Sequence, residues 1–183
     1  MSTAPLRPHP ATPAPWIDDI VVRVAAGGAG AVALLFRVRG DVERVRVPSP
    51  RPPARADGLW RHTCFEAFVR SGDGPAYVEL NFSPTGQWAA YAFRGYRDGG
   101  VLDVPLDPAI VVRRGPGELT LEAAIPGAML PPTDAGVGLQ LGLSAVIEDL
   151  AGNLSYWALR HGAGRPDFHH PDAFALPVHG VSS

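Results

Sequence analysis

Residues Leu59 to Asp98 read LWRHTCFEAFVRSGDGPAYVELNFSPTGQWAAYAFRGYRD, and the strand pattern of the chain is clearest here. Two turn signals divide this stretch, SGDGP at 71–75 and SPTG at 83–86. Glycine permits positive φ, proline fixes φ, and serine and aspartate bond their own backbone, so both are turns. The segments between them are rich in Phe, Val, Tyr and Trp and alternate in polarity, which is typical of strands. The short connections predict an antiparallel meander of three strands.

Side chains alternate between the two faces of a strand, so the sequence also predicts faces for this meander. The apolar face of the first two strands carries Phe65, Ala67, Val69, Val78, Leu80 and Phe82. The opposite face carries Trp60, His62, Cys64, Glu66, Phe68, Tyr77, Glu79 and Asn81. We expect the apolar face to be core. The other face is then either solvated surface or the floor of a binding site.

The rest of the chain repeats this pattern of short strands. Further strands are predicted at 17–26, 31–39, 110–113, 118–125, 139–148 and 154–160, with an additional edge strand within 174–178. About ten strands without a 3.6-residue apolar period predict an all-β protein, an antiparallel β-sandwich or a closed barrel. The Pro- and Ala-rich residues 1–15 are expected to be a disordered lead-in. Residues 16–183 are expected to form a single domain.

Composition argues against several functional classes. The net charge of −2 provides no basic surface for nucleic acid or acidic membrane. The single cysteine, Cys64, cannot form an internal disulfide and is most simply a small buried hydrophobe. No window approaches ~20 apolar residues and no apolar signal-peptide region is seen, so we expect a cytoplasmic protein. Lysine is absent, which indicates a GC-rich bacterial genome.

One part of the chain resembles a known superfamily. Residues Phe65 to Phe68, then Tyr77 to Asn81, then the SPTG turn and Trp88 to Phe93 resemble the DOMON and family-9 carbohydrate-binding-module superfamily. Within it, the chain looks most like bacterial DOMON-like domain proteins, over roughly residues 16–178. The resemblance implies a curved antiparallel β-sandwich that binds a small ligand, either a sugar or haem.

The resemblance also implies a set of ligand-binding residues. In sugar-binding members two aromatic residues clamp a sugar ring, and Glu, Arg and Asn side chains bond its hydroxyls. An aromatic residue stands six positions before the glutamate, as Trp60 does before Glu66. The matching residues here are Trp60, Glu66, Glu79, Asn81, Asn153, Tyr156 and Trp157. Two positions depart from the pattern. Glu79 stands where an arginine is expected, and Tyr156, or its neighbour Trp157, stands where the second tryptophan is expected.

The loss of that arginine leaves two acids near each other, and two nearby acids repel unless a cation pairs with them. One alternative is a calcium ion held by Glu66, Glu79 and Asn81, since Ca²⁺ takes oxygen ligands. Another alternative is a solvated face on which Arg61, Arg94 or Arg97 compensates the negative charge of the acids. No further cofactor is expected for the sugar-binding interpretation.

Haem and hydrolase interpretations find less support in the sequence. Haem b needs axial ligands, and only His62 or His161 could pair with Met129. Ser155, His161 and Asp167 could compose a hydrolase triad, but no nucleophile-elbow pattern surrounds a serine, so we do not expect an enzyme. The late histidines match no zinc signature and are interpreted as structural loop residues: His161, His169, His170 and His179.

Each candidate also has a purely structural interpretation. Trp60 could be the edge of the core, Asn81 could cap the following turn, and Trp88 and Tyr91 are expected to be packing residues. The function favoured by the sequence is a module that binds a sugar or sugar-like compound on a concave face. The alternatives are a haem-binding electron carrier and a structural or interaction module without a small ligand.

Overall fold

The computed structural model describes residues 1–133 and 137–178, and within them it contains twelve strands and no α-helix. All pairings between these strands are antiparallel. The strands are β1 (Ser2–Pro8), β2 (Ile17–Ala26), β3 (Val32–Gly40), β4 (Cys64–Ser71), β5 (Tyr77–Phe82), β6 (Trp88–Gly95), β7 (Asp98–Val101), β8 (Ala109–Gly115), β9 (Glu118–Ile125), β10 (Leu139–Glu148), β11 (Leu154–Ala158) and β12 (Leu176–Val178). Short 3₁₀ turns occur at Val42–Arg44, Leu59–Arg61, Gly127–Met129 and Pro171–Ala173. His179 lies outside the described residues.

The strands form two sheets that are joined through β1. The first sheet has the order β1-β2-β3-β9-β8, and the second has the order β7-β6-β5-β4-β10-β11. β1 pairs with β2 over Ser2 to Leu6 and with β11 through Arg7 and Pro8. On its other side from β4, β10 pairs first with β12 and then with β11. The predicted meander is therefore β4-β5-β6, inside the second sheet.

The apolar faces of the two sheets meet in the main core. Phe36 on β3 and Phe65 on β4 have ring centroids 5.1 Å apart, so the sheets pack face to face. Phe65, Leu80 and Phe82 are fully buried in this core. The face assignment made from alternation is thus confirmed, as is the predicted all-β sandwich.

The outer face of the second sheet is covered by residues 160–178, which we call the C-terminal segment. Phe68 and Tyr77 on this face form a second apolar cluster with Phe168 and Phe174 of the segment. Gly142 on β10 permits the close approach, because a Cβ there would lie 3.1 Å from the carbonyl oxygen of Ala173. The outer face is therefore neither bare surface nor ordinary core.

The disordered lead-in predicted for residues 1–15 is wrong, because residues 2–8 form β1. Ala4 and Leu6 alternate with exposed residues and are buried, so this strand closes one side of the main core. At Pro5, β1 pairs with β2 on one side only. It is locally an edge strand there, and an edge strand tolerates proline because one side of its backbone forms no ladder hydrogen bonds. The Pro- and Ala-rich composition suggested disorder because composition carries no information on this two-residue alternation.

Several smaller features complete the comparison. The bounds predicted for β2, β9 and β10 agree with the structure. β7 was not predicted, and β12 confirms the expected edge strand within 174–178. Cys64 is fully buried, as expected, and burial raises the pKa of its thiol. Among the described residues, no helix has the length and apolar character needed to cross a membrane.

Candidate functional site

A cavity of about 620 Å³ lies on the outer face of the second sheet. Its floor consists of side chains from neighbouring strands, including Glu66 on β4, Glu79 on β5 and Tyr91 on β6. The C-terminal segment supplies one wall through Phe168 and His169. The volume is in the range of small-molecule sites.

Glu66 is the more deeply buried acid of the floor, with 2% of its surface exposed. The hydroxyl of Ser144, its partner across the β4–β10 register, donates to Glu66 Oε2 over 3.3 Å. Its other oxygen, Oε1, is buried and has no hydrogen-bond partner within residues 1–133 and 137–178. Burial, together with the negative charge of Glu79, raises the pKa of Glu66 well above its usual range.

Glu79 is the second acid of the floor and is 6% exposed. The side-chain amide of Asn81 donates to Glu79 Oε1 over 2.8 Å, and both residues lie on the outer face of β5. Burial raises the pKa of Glu79, although the Asn81 bond and the charge of Arg97 act to lower it. Asn81 is fully buried and bonds Glu79, so it does not cap the following turn.

A short chain of hydrogen bonds connects Arg97, Tyr77 and His169 beside Glu79. The Arg97 backbone N–H donates to the Tyr77 hydroxyl oxygen over 3.2 Å. The Tyr77 proton is then free to point at His169 Nδ1, 2.7 Å away. This assigns the His169 ring proton to Nε2, which lies 3.6 Å from Glu79 Oε2. Burial, with the positive charge of Arg97, lowers the pKa of His169 to about 4, so the ring is neutral at pH 7.

Arg97 also lines the cavity, but its guanidinium already has an anionic partner. Its Nη2 donates to Asp167 Oδ1 over 2.8 Å, and the Tyr96 hydroxyl donates to Asp167 Oδ2 over 2.6 Å. Burial acts against ionisation of Asp167, yet these two bonds keep its pKa below the usual value. The pair fixes the C-terminal segment against the β6–β7 turn, where Arg97 has φ of 55°.

Aromatic rings border the acids of the floor. Tyr91 lies on β6, and its hydroxyl donates to Asp57 Oδ1 over 2.8 Å. Phe93 stacks on Tyr77 with ring centroids 4.7 Å apart and planes 9° from parallel. Tyr156 on β11 contacts Phe168 at a centroid distance of 6.0 Å. Tyr91 was expected to be a packing residue and instead lines the cavity, whereas Trp88 is core as expected.

Trp60 lies at the border of the cavity and is 47% exposed. It belongs to the 3₁₀ turn Leu59–Arg61 and not to the first strand of the meander, so the prediction that placed it on the strand is wrong. The guanidinium of Arg61 stacks over its ring at 5.1 Å. A short turn after Gly58, whose φ is +74°, interrupts the strand pattern here. Trp60 still shares the cavity with Glu66 and Glu79.

Two of the predicted site residues lie away from this cavity. Trp157 is 3% exposed, belongs to the main core, and its Nε1 donates to Ser155 Oγ over 3.1 Å. It alternates with Tyr156 along β11, so only Tyr156 faces the cavity. Asn153 completes the turn before β11, where its side-chain amide donates to Asp149 Oδ2 over 2.9 Å. Its role in the structure is to hold that turn.

The residues proposed for a metal or haem do not assemble a site for either. Within the described part of the chain, no group of three or more His, Cys, Asp or Glu side chains is arranged to hold a metal ion. For calcium, Asn81 presents its amide nitrogen to Glu79 Oε1, so that oxygen already accepts a hydrogen bond, and the side chains of Glu66, Glu79 and Asn81 fall short of the roughly six to eight oxygen ligands that Ca²⁺ takes. For haem, Met129 is buried in the main core, His62 bonds Glu148, and His161 bonds the Arg7 carbonyl.

The hydrolase triad is also not assembled. Ser155 Oγ bonds the Ile147 carbonyl, and Asp167 is held by Arg97 and Tyr96. His161 lies beside His9, with ring centroids 4.9 Å apart.

The largest difference from the sequence interpretation concerns the C-terminal segment. His169, interpreted as a loop residue, lies in the cavity wall with Phe168. Arg97 had been named as one of three cations that could balance the acids, and the structure brings it to the cavity, while Arg94 bonds Asp98 instead. The cluster Phe168-His169-His170 was the sequence signal that could have indicated a cavity wall. Only the tertiary packing shows which face of the sheet the C-terminal segment covers.

Comparison with known proteins supports the fold. No protein-family model matches the chain, and no curated protein matches it. Among solved structures, the chain is similar to a "putative carbohydrate-binding protein" from Bacteroides uniformis ATCC 8492, with a TM-score of 0.63 and 16% sequence identity. The match covers 94% of this chain and 83% of that chain. At 16% identity this similarity establishes a shared fold and nothing further.

Proposed function

We propose that the cavity binds a small carbohydrate and that the protein is a sugar-binding β-sandwich module of the DOMON-like type that its sequence resembles. One observation carries the proposal: aromatic rings and buried hydrogen-bonding side chains border the same cavity. Tyr91, Phe93 and Tyr156 provide the rings, and Glu66 and Glu79 provide the acids.

This combination suits the two kinds of surface that a sugar presents. The C–H face of a pyranose ring is apolar and packs against aromatic rings such as Tyr91 and Tyr156. Its hydroxyls both donate and accept, and they meet acceptors on Glu66 and Glu79 and donors on Arg97 and His169. The similarity to the Bacteroides uniformis protein lends support, because that protein shares the fold and is described as a "putative carbohydrate-binding protein".

The affinity for a single sugar unit is expected to be weak. A monosaccharide of ~12 heavy atoms at about −0.3 kcal/mol per atom gives roughly −4 kcal/mol, a dissociation constant on the order of 1 mM. Ligand-observed NMR over a panel of monosaccharides and disaccharides detects binding in this range, so it is the measurement to use.

The matched variants are Tyr156→Ala, in the cavity wall, and Val111→Ala, at an exposed position on β8 of the other sheet. Tyr156→Ala should weaken sugar binding several-fold, and Val111→Ala should leave it unchanged. Circular dichroism on both variants verifies that they fold. If no sugar binds to the wild type at tens of millimolar, or if Tyr156→Ala binds as well as the wild type, the proposal fails.

A further inference from the structure

We call the part of the cavity lined by Glu66 and Glu79 its inner end. Two buried oxygen atoms at or beside it have no hydrogen-bond partner among the described residues. One is Glu66 Oε1, which lies in the floor of the cavity, and Glu66 as a whole is only 2% exposed. Asn81, opposite Glu66 in the β4–β5 register, is fully buried and its Oδ1 is likewise without a partner there. A buried acceptor without a donor is costly, so the occupant of this end should donate.

The guanidinium groups that line the cavity are engaged with partners other than the two acids. Arg97 is bonded to Asp167 over 2.8 Å, and Arg61 stacks on Trp60 at the border of the cavity. His169 is the remaining basic side chain in the wall, and it accepts at Nδ1 from Tyr77. The inner end of the cavity therefore presents the two carboxyl groups of Glu66 and Glu79, while the guanidinium groups of Arg61 and Arg97 contact other partners.

We propose that the ligand is an amino sugar, whose ammonium group binds between Glu66 and Glu79 at the inner end of the cavity. This inference rests on the proposed function, since it names the class of sugar for the same site. An ammonium group brings three donors and a positive charge to a place that presents two acids and the unpaired acceptor Glu66 Oε1. A neutral sugar brings donors without the charge.

The proposal includes a defined proton balance. Burial raises the pKa of both acids and so favours their protonated form, whereas an ammonium group bound between them favours the carboxylate form. The proton leaves to solvent, so amino-sugar affinity should rise between about pH 5 and pH 7, while the sugar amine remains protonated.

Other titratable groups also face the acid pair. They are Tyr77 on β5, Cys64 on β4, Tyr91 on β6, Asp57 and Arg61 before β4, Arg97 before β7, and His169 in the C-terminal segment. Tyr91 has a pKa of about 12 and His169 one of about 4, so neither changes charge between pH 5 and pH 7.

The test compares glucosamine, N-acetylglucosamine and glucose on the full-length protein by NMR titration at several pH values. Glucosamine should bind about tenfold more tightly than the other two at pH 7, the gain expected from a charge-assisted hydrogen bond. The Glu79→Gln variant should remove this difference and its pH dependence. Glu122→Gln is the control, because Glu122 is an exposed acid on β9, 3.7 Å from Arg113. Glu66→Gln replaces Glu79→Gln if the latter does not fold.

The outcomes separate this inference from the proposed function. If glucose and glucosamine bind equally, or if the Gln variants keep the preference for glucosamine, the amino-sugar inference is overturned and sugar binding stands. If none of the three sugars binds, the proposed function and the inference both fail.

Discussion

The two faces of the β4–β5 hairpin are equally buried but chemically opposite. On the inner face Phe65, Leu80 and Phe82 are fully enclosed by the facing sheet. On the outer face Glu66 and Asn81 alternate with them and are just as inaccessible to solvent. Burial alone therefore does not distinguish the core from a candidate site. The two differ in whether buried polar atoms with unsatisfied hydrogen-bonding capacity are present.

The two faces also differ in what covers them. The inner face meets another sheet, and regular packing leaves every apolar side chain with neighbours. The outer face meets the irregular C-terminal segment, which packs on Phe68 and Tyr77 and leaves a cavity beside them. Glu66 Oε1, in the floor of that cavity, has no hydrogen-bond partner among residues 1–133 and 137–178.

The largest expected effect is on the inner face. Phe65→Ala should lower the free energy of unfolding by ~3–5 kcal/mol, the usual cost of removing a buried aromatic ring, because Phe65 is fully buried against Phe36. Urea denaturation followed by circular dichroism measures this loss. A loss below about 1 kcal/mol would show that the inner face is not the main source of stability.

On the outer face a substitution should have the opposite sign. Glu66→Gln should raise the free energy of unfolding at pH 8 by about 1–3 kcal/mol, because a buried carboxyl with a raised pKa costs stability above its unfolded pKa and an amide does not titrate. The amide keeps the shape of the side chain and can still accept from Ser144. Such a gain in stability with a loss of ligand binding is the trade-off expected at a functional site.

The pH dependence of that effect follows from the sign of the shift. The folded pKa of Glu66 is raised above its unfolded value, so the folded state holds more protons and wild-type stability falls as pH rises from about 4.5 through the folded pKa. The advantage of Glu66→Gln should therefore be small near pH 4 and grow toward pH 8. An advantage that is the same at both pH values would mean that Glu66 does not hold a proton in the fold.

The alternation and the two turns of residues 59–98 were sufficient to predict the meander, its inner face and the outward position of Glu66 and Glu79. Period-two patterns and turn residues are local, so they can be read directly from the chain. The same logic would have found β1, where Ala4 and Leu6 alternate with exposed residues, had its composition not suggested disorder. Trp60 lines the same cavity as Glu66 and Glu79, but it was assigned to the wrong element, because the 3₁₀ turn interrupts the alternation before β4.

The roles of Arg97 and His169 could not be derived in this way. Arg97 reaches the cavity through a tight turn between β6 and β7, and His169 reaches it because the C-terminal segment folds back on the second sheet. Both depend on contacts between residues distant in sequence. One such contact is the bond of 2.8 Å between Arg97 and Asp167, which are 70 residues apart.

The smallest expected effect on stability separates the two tryptophans that the sequence nominated as ligand platforms. Trp60 is 47% exposed and its described cation–π partner is Arg61, so Trp60→Ala should change the free energy of unfolding by less than about 1 kcal/mol. The same variant should weaken sugar binding several-fold in an NMR titration, because Trp60 borders the cavity. Trp157→Ala is the control, since Trp157 is 3% exposed in the main core and its loss should destabilise the fold strongly. A Trp60→Ala protein that binds sugar like the wild type would restrict the site to the floor and the C-terminal segment, and the exposed ring would then have no part in it.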